Sequence, residues 1–312
     1  MGMEAYGDDY KGAPEPIFCG IPTFLKLPLL KNQQELEKSK PDIAIIGEPF
    51  DFGTTIRPGA RYGPRAIRAA STVPSPPYEH FNIETGVDPF GTFKVADYGD
   101  VNVSPGDVIE SLRRMTDKVK SALDVDAMPI MLGGDHSITF ANVRAFAKKH
   151  KNIGMIHIDT HADCAPQGLT GFKYDHGAHI DQIAKEASDR ANDNVDGVFI
   201  SWDIDTFDPA YAPGTGEPEP NGLTSREGMR LMRLLSTSFD PDTFGFDLVE
   251  VSPAYDVSDL ANRLIVELMA GLSLTKKGER EGNPVRPKLY RGTGNTYSFG
   301  GPKAEPPSPR KK

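Results

Sequence analysis

Cysteine is nearly missing from this chain: Cys19 and Cys164 are the two in 312 residues. They stand far apart without zinc-finger spacing, which argues against a disulfide framework and a thiolate-built metal site. Long apolar runs are missing too. None approaches the ~20 residues needed to cross a bilayer, so no membrane partner is expected. An excess of basic residues is likewise missing. The formal net charge is −9, which leaves no broad positive surface for nucleic acid. The segment MGMEAYGDDYKG lacks the basic and apolar regions of a secretory signal, and its acidity is unlike a mitochondrial presequence. A cytoplasmic location is the expectation. What is present, 38% hydrophobic and 25% charged residues, matches an average globular protein with a large core.

Short apolar runs recur as IAIIG after Asp42, MPIMLGG (128–134), IGMIHID (153–159), GVFISWDID (197–205) and FGFDLVEVSP (244–253). Each reads as a buried strand. Between them, residues 108–123, 138–150, 225–238 and 258–274 place apolar side chains three or four apart, the spacing of amphipathic helices. Ser225 and Ser258 are the expected N-caps of the last two. Continuous apolar strands alternating with helices predict an α/β fold, a mostly parallel sheet covered on both faces. Residues 1–40 read as an arm on the body and 41–275 as the body. Residues 276–312, rich in Gly, Pro, Lys and Arg, read as an extended tail.

In such sheets ligands bind beyond the carboxyl ends of the strands, and here the polar clusters sit at those ends. GGDHS supplies His136. MIHIDTHADC places His157, Asp159, His161 and Asp163 at alternate positions, which a strand turns to one face. SWDIDTFDP supplies Asp203 and Asp205. Buried carboxylates and imidazoles are costly unless paired or bound to a cation. His136, Asp159, His161, Asp163, Asp203 and Asp205 together form an oxygen-rich, thiolate-free set that favours Mn²⁺ or another hard-to-borderline ion. Six donors exceed what one catalytic ion takes, so with bridging carboxylates they suit two ions. The chemistry implied is attack of an activated water on an electrophilic carbon. His157 is not needed as a ligand and reads as a core histidine. Cys164 reads as a small residue lining the loop.

GGDHS, DTHAD and SWDIDTFDP resemble the three metal-binding motifs of the ureohydrolases, the arginase and agmatinase family. The resemblance extends to GEPFDFGTTIRPGARYGPRAIR (47–68), PAYAPGTGEPEPNGL (209–223) and GFDLVEVSPAYD (245–256). It covers roughly Ile43 to Leu274. The RPGAR and APGTG stretches are similar to the agmatinase-like branch. The resemblance implies a three-layer α-β-α sandwich and two Mn²⁺ per subunit, with Ni²⁺ the alternative metal. His136, Asp159, Asp163 and Asp203 would hold one ion, and Asp159, His161, Asp203 and Asp205 the other. It also implies Glu250 as the acid that binds the guanidinium and His176 as the proton donor to the leaving amine, with Asp163 counted among the catalytic groups as well as the ligands. The family resemblance further implies a homo-oligomer, trimer or hexamer.

The implied reaction is hydrolysis of a guanidino C–N bond with release of urea, agmatine to putrescine being the first expectation. Free guanidine and guanidino acids such as guanidinobutyrate and guanidinopropionate are the alternatives. Gln167, Lys173 and Asp175, in the loop expected to line the tail site, do not decide among them. Two departures stand out. The 24 residues between His176 and Ser201 are too few for a strand–helix–strand passage of ~30 residues, which the family usually carries there. The sheet is therefore expected to lack one strand–helix passage after Ile180, and a shortened, weakly active homologue acting through assembly or binding is the third reading. The second departure is HGAHI, where Ala178 and His179 alter the wall beside His176.

Overall fold

A computed structural model describes residues 19–72, 82, 85–163, 195–237, 239–255 and 260–280. Six strands form the frame: β1 (Ile43–Gly47), β2 (Val95–Asp100), β3 (Met128–Leu132), β4 (Ile153–Ile158), β5 (Gly197–Asp203) and β6 (Phe244–Val249). They pair in the order β2-β1-β3-β6-β5-β4, every pairing parallel. All carboxyl ends therefore reach one edge. The helices are α1 (Gln33–Ser39), α2 (Gly63–Ser71), α3 (Pro89–Thr92), α4 (Val108–Asp124), α5 (Ile138–Lys149), α6 (Ser225–Ser236) and α7 (Leu260–Arg280).

Strand parity builds the layers. Ile45 pairs with Ile130, Ile130 with Phe246, and Phe246 with Ile200. That row faces one core, shared with Ile67 of α2, Met232 of α6 and Leu264, Ile265 and Leu268 of α7. Ala44, Ile46, Met131 and Phe199 face the other, against Leu112, Met115 and Val119 of α4 and Ile138, Ala141 and Phe146 of α5. Both faces of the sheet are thus covered, giving the expected three-layer α-β-α sandwich. None of the described helices is long and apolar enough to cross a membrane.

Several local expectations change. The N-cap of α6 is Thr224, not Ser225. Glu227 N–H donates to Thr224 Oγ1 (3.3 Å), and Thr224 N–H donates to Glu227 Oε2 (3.0 Å). This reciprocal box satisfies two otherwise orphaned donors. Ser258 lies outside the described residues. Helix α7 runs on to Arg280, past the expected start of the tail, and Lys276 Nζ pairs with Asp242 Oδ1 at 2.6 Å. Strand β2, VADYGD, lacks the apolar run that marks the others. Its inward Asp97 is satisfied by Arg68, whose Nε and Nη2 donate to the two carboxylate oxygens at 2.7 and 2.9 Å. Phe24 N–H also donates to Asp97 Oδ2 at 2.8 Å, and Leu30 N–H to the Asp97 carbonyl at 2.7 Å. Residues 24–30 thereby lie along the outer side of β2.

Candidate metal centre

Four neighbouring strands, β3, β6, β5 and β4, deliver the chemistry at the carboxyl edge. After β3 the chain turns through Gly133 and Gly134. A Cβ on Gly134 would stand 2.2 Å from the Phe50 carbonyl oxygen and 2.7 Å from that of Glu48, so only glycine lets these backbones meet. Gly134 N–H donates to the Glu48 carbonyl at 3.0 Å, and Asp135 N–H to that of Phe50 at 2.8 Å. The Asp135 side chain accepts from Gly53 N–H at 2.7 Å and from Ser137 N–H at 3.1 Å. It fastens the loop after β1, while its neighbour His136 enters the centre.

His136 Nδ1 lies 3.0 Å from Asp159 Oδ2 and 3.1 Å from both Asp163 Oδ2 and Asp203 Oδ2. Yet His136 Nδ1 and Asp159 Oδ2 are buried without a hydrogen-bond partner. The atoms converge at contact distance without aligning as donor and acceptor. Donors about 2.1 Å from one ion and at right angles stand about 3 Å apart, the spacing found here. A second group forms beside it. His161 Nδ1 is 2.9 Å from Asp205 Oδ2 and 3.6 Å from Asp159 Oδ1. Asp159 thus turns one oxygen to each group. His136–His157–Asp159 and Asp159–His161–Asp205 each place ligand atoms within 4.8 Å of one another.

Backbone donors hold the carboxylates in place. His161 N–H donates to Asp159 Oδ1 (2.6 Å), Asp205 N–H to Asp203 Oδ1 (2.8 Å) and Thr160 N–H to Asp205 Oδ1 (3.2 Å). Electrostatics show the crowding. Burial, then the charges of Asp205 and Asp159, push the Asp203 carboxyl well above the usual range. Burial also raises Asp205, with Asp159 adding to it. Burial disfavours a charged His136, but the carboxylates of Asp159, Asp163 and Asp203 outweigh it and raise that imidazole well above its ordinary value. Asp205 chiefly raises His161, to about 9. Divalent cations relieve this crowding of acids, so the donor set, its spacing and its orphaned atoms all fit a metal.

The sequence reading left His157 outside the centre. The structure stacks its ring on that of His136 and sets its Nε2 3.0 Å from Asp159 Oδ2. Asp159 follows the carboxyl end of β4, two residues after His157. Glu250 follows β6 at φ +60°. Its N–H donates to the Gly134 carbonyl and its Oε1 accepts from His136 N–H, each at 2.8 Å. Its Oε2 faces Gly216 of the APGTG loop, 3.4 Å from where a Cβ would stand. Burial, then Asp135, push this carboxyl well above its usual range. His176, the loop with Gln167, Lys173 and Asp175, and Ala178 and His179 lie outside the described residues.

The model of the arginase family matches residues 41–187 and 178–274. This chain belongs to the arginase family. As a member it is an amidinohydrolase, acting on the C–N bond of a guanidino group. It is 34% identical to the guanidinobutyrase of Pseudomonas aeruginosa, over 83% of this chain and 93% of the relative. It is also 34% identical to the mitochondrial agmatinase of Gallus gallus, over 81% and 86%. Among solved structures, the proclavaminate amidino hydrolase of Streptomyces clavuligerus superposes with a TM-score of 0.70 at 30% identity, covering 83% of this chain and 99% of that one. The guanidinobutyrase alignment spans 306 positions although 83% of the 312 residues enter it. Tens of positions in the relative therefore have no counterpart here. The family match breaks and restarts at 178–187, the stretch where a passage is expected to be missing. Among the described residues no strand lies outside β4.

Proposed function

We propose that this protein is a binuclear metal-dependent hydrolase that releases urea from agmatine. The observation that carries the reading is the placement of Glu250. A buried carboxylate adjoins a cluster of convergent metal donors and is fastened to the backbone of His136. A carboxylate fits a planar guanidinium through two parallel hydrogen bonds, so Glu250 would present the guanidino carbon to the centre. Its raised proton affinity falls once a cationic guanidinium pairs with it. His136, Asp159, Asp163 and Asp203 are the proposed donors to one ion, and Asp159, His161, Asp203 and Asp205 to the other. Two divalent ions, Mn²⁺ or Ni²⁺, would supply an activated water near neutral pH and stabilise developing charge. His176 is the proposed proton donor to the leaving amine. The RPGAR and APGTG stretches and the agmatinase relative support agmatine.

A second substrate class has its own support. Arg57 and Glu250 flank Gly216: the Arg57 carbonyl oxygen and Glu250 Oε2 each stand 3.4 Å from where a Cβ on Gly216 would be. The Arg57 guanidinium lies 5.7 Å from the centroid of the Tyr255 ring. No carboxylate pairs with it among the described residues. A guanidino acid has an anionic tail that this cation would meet, whereas the ammonium of agmatine would be repelled. Urea release from agmatine, guanidinobutyrate, guanidinopropionate, arginine and guanidine by Mn²⁺- or Ni²⁺-loaded protein decides among them. Two bound ions with no urea from any substrate would leave only the reading of a homologue acting through assembly or binding. Light scattering tests the proposed trimer or hexamer.

A further inference from the structure

We propose that Asp247 is a positioning residue for the metal centre: acting through the Ser201 hydroxyl, it keeps the His136 proton on Nε2 and so leaves Nδ1 free to take an ion. The inference rests on the metal centre proposed above and adds to it a residue from behind the donors.

The residues involved form a polar chain inside an apolar layer. Met131, Asp247 and Ser201 are register partners across β3, β6 and β5. Register partners share a face of the sheet, and Met131 belongs to the core under α4 and α5. Thr139 and Asn142, one helical turn apart on α5, meet this row from the helix side. His136, Thr139, Asn142, Ser201 and Asp247 are all 0% exposed. Polar groups in such a place are costly unless they bond to one another.

The chain of bonds has a direction. His136 Nε2 lies 2.9 Å from Ser201 Oγ, which lies 3.2 Å from Thr139 Oγ1. Asn142 Nδ2 donates to Asp247 Oδ2 at 3.0 Å. Burial raises the Asp247 carboxyl above its usual range, and hydrogen bonding by Ser201, Asn142 and Thr139 opposes that rise. A carboxylate only accepts, whereas a hydroxyl has one proton to give and lone pairs to offer. With Asp247 at the end of the chain, Ser201 turns its proton toward the carboxylate and its lone pairs toward His136. Nε2 then carries the hydrogen, and the lone pair of the neutral ring is on Nδ1. That nitrogen is the one that converges with Asp159, Asp163 and Asp203. A donor in place of the Asp247 carboxylate would let Ser201 reverse, donate to Nε2 and leave a hydrogen on Nδ1 where an ion should bind.

The test is a double-mutant cycle on Mn²⁺ affinity with Ser201→Ala, Asp247→Asn and the two combined. Circular dichroism and thermal unfolding of the metal-free proteins establish folding. Loss of an outer partner of a metal-bound histidine costs roughly 10- to 100-fold in metal affinity, and each single variant should weaken binding by that factor. The double variant should bind no worse than the weaker single, because both changes break one path. Losses that multiply would mean that Asp247 acts by a route of its own, which overturns the proposal, as does unchanged affinity in folded Asp247→Asn. Should Asp247→Asn fail to fold, unchanged affinity in Ser201→Ala overturns it equally. NMR of wild type carrying isotopically labelled histidine and loaded with Zn²⁺, a diamagnetic probe, gives a reading independent of any variant. A proton on His136 Nε2 that exchanges slowly is expected, and an unprotonated Nε2 would exclude the relay. Failure of the wild type to bind even one ion per chain would instead remove the metal centre itself, and the relay with it.

Discussion

The imidazoles of His136 and His157 stack with their centroids 4.8 Å apart, although the strands that bring them are not neighbours. His136 follows β3 and His157 lies on β4, with β6 and β5 between them in the sheet. The GGDHS loop therefore reaches over two strands, passing Ser201 on the way at 2.9 Å. This reach makes one site from motifs at opposite ends of the strand set, and it explains why the loop is so tightly fastened. Asp135 holds it to Gly53, Gly134 to Glu48, and Glu250 to the backbone of His136.

The two acids Asp203 and Glu250 should separate metal binding from turnover. Asp203→Ala should lose bound metal, because Asp203 faces His136 Nδ1 and stands among the converging donors. Glu250→Ala should keep its metal and lose turnover by roughly 10²-fold or more, the scale for losing one group that orients or stabilises the reacting centre. Elemental analysis beside a urea assay measures both. Equal metal loss in the two variants would contradict the role given to Glu250.

Gly134→Ala should destabilise the protein. The added Cβ would meet the Phe50 carbonyl oxygen at 2.2 Å, and backbone on both sides leaves no flexible group to yield. Overpacking costs about 1–3 kcal/mol, read as a lowered thermal midpoint. The equivalent change at Gly106, where a Cβ would meet nothing within 4 Å but φ is +82°, separates clash from backbone strain.

The buried pair of Arg68 and Asp97 should be more costly to break than to delete. The Asp97 side chain is fully buried and that of Arg68 is 7% exposed. Asp97→Ala leaves a buried guanidinium with only Asp100 and should cost about 3–5 kcal/mol, whereas replacing both partners with apolar residues of similar volume should cost less. Denaturant midpoints of the single and double variants make the comparison. A double variant less stable than either single would refute it.

Glu48 predicts a pH dependence from a buried carboxyl that is not among the donors. Its carboxyl is fully buried, and burial pushes it well above its usual range, with nearby Asp247 adding to the rise against the opposing pull of Asn142. A carboxyl raised in the folded state holds its proton more tightly there than in the unfolded chain. Its stability contribution is therefore fully present below the unfolded-state value and declines as pH rises through the folded-state value. Glu48→Gln keeps the shape and removes the titration. The variant should gain stability relative to wild type as pH rises above the usual carboxylate range, followed by chemical denaturation across neutral pH. A constant difference would show that Glu48 is ionised throughout.

Much of the fold was legible because parallel strands buried on both faces must be apolar along their whole length. IAIIG, MPIML and FGFDLV announce themselves in this way, and the polar groups after them had to gather at one edge once the strands ran parallel. β2 was not legible. VADYGD looks polar, and its place in the sheet depends on Arg68, which lies 29 residues away from Asp97 in the chain. Thr224 displaced Ser225 as a cap because either hydroxyl suits the position, and only the entry angle of the chain selects one.

The sequence by itself determined the layered α/β fold and the family and pointed to six candidate donors, because strand parity and motif spacing are local properties. Tertiary structure alone decided that His157 joins His136, that Asp159 divides its oxygens between two groups, and that Glu250 leans on the backbone of His136. Each depends on how far one loop reaches across the sheet, a distance set by strand order and packing that no local spacing encodes.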